Sequence, residues 1–88
     1  MLTFEDCLDF ADLTGEEVDA IAEHEHVPEM VALELGRYLC QTPEGERRIS
    51  RMIIDDIEEA RARGDLAAAA KLRFVLRHFV DTHLHVAA

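Results

Sequence analysis

The stretch AIAEHEHVPEM, residues 20–30, carries the decision about the fold. Proline lacks an amide donor and clashes inside a helix, but it suits the first position of one. Pro28 also biases Val27 away from helical geometry. One helix is therefore expected to stop near Glu25 or His26, and another to start at Pro28. His24 and His26 stand two apart, so they do not share a helix face. The HEH run is read as a joint between helices rather than as a single ligating unit.

Start signals recur on both sides of that joint. Thr3 is a plausible N-cap with Glu5 and Asp6 after it, and Phe4, Cys7, Leu8 and Ala11 repeat at helical spacing over 4–12. Thr14-Gly15-Glu16-Glu17 is a capping box opening a helix over 15–25, with Val18, Ile21 and Ala22 as its stripe. After Pro28, Val31, Leu35, Tyr38 and Leu39 lie on one face. Ala32 and Gly36 leave a shallow strip for a close neighbour. Thr42-Pro43-Glu44 opens a helix over 43–63 with the stripe Ile49, Met52, Ile53, Ile57 and Ala60. Gly64 suits the left-handed position after a helix, and Asp65 can cap the next. Leu72, Val75, Leu76 and Phe79 then face a core from 65–84, and Leu66, Ala69 and Phe74 widen that apolar arc. The expectation is one all-α domain over 1–88. It is a compact bundle of about five helices, ending in a long antiparallel helical hairpin.

The charge is uneven. Net charge is −10. Residues 1–46 hold thirteen carboxylates against one arginine, and residues 47–88 hold eight cations against six acids. The first half repels phosphate and attracts basic partners. No window approaches the roughly 18 apolar residues of a membrane span, and no signal segment is visible. A cytoplasmic location without membrane association is expected. Cys7 and Cys40 fit no zinc-finger or redox spacing and read as small buried hydrophobes, with an intermolecular disulfide as the alternative.

Three functional readings follow. The first is a protein–protein interaction module, expected to self-associate as a homodimer. Phe4, Phe10 and Phe74 are its candidate apolar contacts, and Arg47, Arg48 and Arg51 a basic cluster that complements the acidic half. The second is a transition-metal protein. Glu23-x-x-His26 has the spacing by which a helix presents a carboxylate and an imidazole to one ion, and Asp19 extends that face. His78, Asp81 and His85 repeat the pattern near the other end. Solvated surface histidines are the plainer reading, so no cofactor is expected. The third is a helix-turn-helix regulator across residues 13–39. Its reader helix carries Glu29 and Glu34 and the lone Arg37, which argues against nucleic acid as a partner. No nucleophile elbow, phosphate loop or HExxH is present, so no enzymatic activity is expected.

The segments LTGEEVDAIAEHEHVPEM, TPEGERRI and MIIDDIEEARARGDL resemble a group of short, uncharacterised all-helical proteins of proteobacteria. The resemblance implies a cytoplasmic, single-domain helical protein. That group has no assigned activity, so no functional residue carries over.

Overall fold

A computed structural model describes residues 3–83. Among these residues there are five helices and no strand. They are α1 (Phe4–Ala11), α2 (Gly15–Glu25), α3 (Glu29–Leu39), α4 (Pro43–Ala62) and α5 (Leu66–His83). No helix among the described residues is long and apolar enough to cross a membrane.

Local chemistry explains the boundaries. Thr3 and Asp6 form a capping box at α1, and Thr14 and Glu17 another at α2. Each satisfies amides that a helix start otherwise leaves unpaired. The Thr42 hydroxyl accepts from the Gly45 amide at 3.0 Å, with Pro43 opening α4. The Asp65 carboxylate accepts from the Ala68 amide at 3.1 Å at the start of α5. Pro28 serves as the N-cap of α3 rather than its first residue, without a side-chain cap. Asp12 and His26 end their helices in the left-handed region at φ 58° and 56°, and Gly64 stands at 78° in the α4–α5 turn.

Helix α2 is central: it packs on α3, α4 and α5. The most extensive pairing is α4 on α5, and α1 packs on α3. Val18, Ile21, Ala32, Ile49, Ile53, Ala60 and Phe79 are fully buried. The stripe read for α4 is buried throughout, from Ile49 to Ala60.

The stripe of α3 turns differently from its periodicity. Val31 and Tyr38 are 50% and 69% exposed, while Ala32, Leu33, Gly36 and Leu39 are buried. Small residues let the neighbouring backbone come near. A Cβ on Gly36 would stand 2.9 Å from Leu13 Cδ1 and 3.0 Å from Ile21 Cδ1. Close approach on the Ala32–Gly36 strip rotates Val31 and Tyr38 outward, because a helix buries the face its neighbour can reach.

The molecule measures 40 × 35 × 17 Å. Packed helix axes stand about 8–10 Å apart, so the thin dimension holds two layers of helices. Most helices therefore keep one face in water, and Phe10, Leu66 and Phe74 are more than 70% exposed.

Candidate functional site

A groove of about 620 Å³ opens where α2, α4 and α5 meet, lined by Asp19, Glu23, His24, His26, Asp55 and Asp56 among others. The ring of His24 is held on both sides. Its Nδ1 lies 2.8 Å from Glu25 Oε2 and its Nε2 3.3 Å from Asp55 Oδ2. Burial opposes its protonation, but these hydrogen bonds and the charge of Asp56 outweigh it and raise its pKa. Asp56 answers to the same environment. Burial lifts its carboxyl to about 6, against the pull of His24 and with reinforcement from Glu23, Glu59 and Asp55. Its Oδ2 is buried without a hydrogen-bond partner among the described residues.

The structure brings Asp19, Glu23 and His26 to this groove. His26 does so as the left-handed residue after α2. His78 and Asp81 lie elsewhere: His78 pairs with Glu17 at 2.9 Å and Asp81 with Arg77 at 3.8 Å. His85 lies outside the described residues. Phe10 and Phe74 are exposed, whereas Phe4 is half-buried against the core. Arg47, Arg48 and Arg51 are exposed on α4, with Arg51 3.7 Å from Asp55.

A second cluster joins three elements. Cys40 caps the end of α3, Glu46 stands in the first turn of α4, and His83 ends α5. One ligand-type atom from each lies within 4.8 Å of the others, the one such triad found among the described residues. The α3–α4 turn is tight because Gly45 lacks a side chain: a Cβ there would collide with the Leu39 carbonyl. The His83 side chain is 6% exposed and its ring stacks on Phe79 at 4.5 Å. Its Nε2 donates to the Asp12 carbonyl at 2.9 Å, and its Nδ1 faces Glu46 Oε2 at 3.4 Å. Burial first, then the charges of Glu46, Glu17 and Asp12, push the Cys40 thiol up to about 12.

Sequence reasoning singled out His26 and passed over His24, Glu46 and His83. The Thr42-Pro43 start signal placed Cys40 and Glu46 on either side of a short turn. Nothing local pointed to His83 as their third neighbour.

Fold and clusters together define an acidic all-α bundle with two polar sites at helix junctions. No protein-family model, no curated protein and no solved structure matches this chain.

Proposed function

We propose that this chain is a cytoplasmic helical interaction module that pairs with a second copy of itself through the outer face of α5. One observation carries the reading. Leu66 and Phe74 are 71% and 79% exposed, and exposed Ala70 lies midway between them, four residues from each. These three share a stripe on a helix whose opposite face is already buried in the core. The stripe is self-complementary: two α5 helices crossing antiparallel at Ala70 set Leu66 of one copy against Phe74 of the other. The small alanine permits a close crossing, and a two-fold axis requires this kind of reciprocity.

Shape supports the same partner. A thin slab leaves outer helix faces in water, and a second copy covers the one on α5. Two free thiols, Cys7 and Cys40, accord with a reducing compartment.

Sedimentation equilibrium tests the reading. The expected result is a dimer at high micromolar concentration, reduced to monomer by Phe74→Glu together with Leu66→Glu while circular dichroism stays unchanged. A wild-type protein that remains monomeric at that concentration overturns it.

A further inference from the structure

We propose that Cys40, Glu46 and His83 form a mononuclear zinc site, with a fourth position left for water or an incoming ligand. None of these three residues belongs to the α5 stripe, so the inference stands apart from self-association.

The tautomer of His83 is the first argument. A carbonyl only accepts, so the 2.9 Å contact with Asp12 puts the ring hydrogen on Nε2. That leaves Nδ1 as the nitrogen directed at Glu46. Metal-bound histidines are held in just this way, with the other ring N–H given to a backbone carbonyl or a carboxylate. The stacked Phe79 ring holds the imidazole plane.

The spacing is the second argument. Nδ1 stands 3.4 Å from Glu46 Oε2, longer than the roughly 2.7–2.9 Å of a charge-assisted hydrogen bond. Zinc bonds of about 2.0–2.3 Å at tetrahedral angles set neighbouring ligand atoms roughly 3.3–3.6 Å apart. The nitrogen and oxygen already sit at that separation. The Cys40 sulfur lies within 4.8 Å of a ligand atom of each of the other two residues.

Donor chemistry and field select the ion. One thiolate, one imidazole and one carboxylate suit borderline Zn²⁺ rather than the all-oxygen sets of Ca²⁺ or Mg²⁺. The Glu46 carboxylate, 3.4 Å from His83 Nδ1, supplies negative charge that attracts a dication. On binding, the Cys40 sulfur gives its proton to solvent and its electron pair to the metal. The ion would then tie the α3–α4 turn to the end of α5.

The test uses the full chain, stripped with a chelator and titrated with Co²⁺ as a spectroscopic probe. The expected result is one Co²⁺ per chain with a near-ultraviolet thiolate charge-transfer band, lost on adding one equivalent of Zn²⁺. Cys40→Ser removes the band, and Glu46→Gln and His83→Gln each weaken binding tenfold or more. Cys7→Ser and Glu23→Gln leave it unchanged. A second measurement needs no variant: stoichiometric Zn²⁺ slows iodoacetamide labelling of Cys40 and leaves the rate at Cys7 unaltered. A band that survives Cys40→Ser, or labelling of Cys40 that ignores Zn²⁺, overturns the assignment.

Discussion

His78 Nδ1 donates to Glu17 Oε2 at 2.9 Å, joining α5 to α2 through a carboxylate whose side chain is 1% exposed. The other oxygen of Glu17 accepts from the Thr14 amide at 2.9 Å. One buried carboxylate thus starts a helix and anchors its neighbour. The Glu17 hydrogen bond, then its charge, raise the pKa of His78 against a smaller effect of burial.

Removing that carboxylate separates its two roles. Glu17→Ala leaves the Thr14 amide and His78 without their acceptor and is expected to lower stability by about 2–3 kcal/mol. Glu17→Gln keeps one oxygen as the acceptor for Thr14, and loses the charge and the second acceptor that faces His78. Because the folded pKa of His78 is raised, its stabilisation is complete below the unfolded value and is lost as pH rises through the folded one. Glu17→Gln is therefore expected to cost more at pH 5.5 than at pH 8.5, approximate conditions that bracket histidine titration. Urea denaturation at the two values checks this. The difference is small, since the His78 side chain is 57% exposed.

Asp56 gives the opposite lesson about charge. Its carboxyl is raised to about 6, so the folded state holds a proton that the unfolded state has released. Stability from this group is present at low pH and falls as pH rises towards about 6. Asp56→Asn removes the ionisation. It is expected to stabilise the protein at pH 7 by about 1 kcal/mol, well below the full linkage value because the group is partly solvated. The gain shrinks at acid pH. Thermal melts across the range show it, and an equal effect at every pH contradicts it.

Ser50 is buried on α4, its hydroxyl without a hydrogen-bond partner among the described residues. Ser50→Ala removes an unsatisfied polar group and gains helix propensity, so it is expected to raise stability by about 1 kcal/mol. A loss in chemical denaturation would mean that the hydroxyl has a partner.

Two glycines respond to alanine in graded fashion. Alanine gains about 1 kcal/mol over glycine in an open helical position. At Gly36 the new methyl presses on the side chains of Leu13 and Ile21, which can shift, and a net loss of about 1 kcal/mol is expected. At Gly45 it meets the Leu39 carbonyl, which cannot move without opening the α3–α4 turn. Gly45→Ala is expected to cost about 3 kcal/mol or more. Denaturation midpoints for the pair test the order.

The helices were legible because their determinants are local. Thr14 and Glu17, Pro28, Thr42 and Pro43, and Gly64 and Asp65 act within four residues of one another, so caps and breakers could be read directly. The buried stripe of α4 was legible for the same reason. Which histidine meets a carboxylate was not. His26 carries the motif spacing, yet it lies past the helix end at φ 56°, while His24 reaches Asp55 thirty-one residues away. Periodicity also pointed Val31 and Tyr38 inward, and the close approach at Gly36 turned them out. Cys40, Glu46 and His83 share no pattern at all. Capping and periodicity record interactions along one helix. The exposed stripe of α5, the groove and the three-residue cluster arise from how helices cross, and that depends on side-chain volumes distant in the chain.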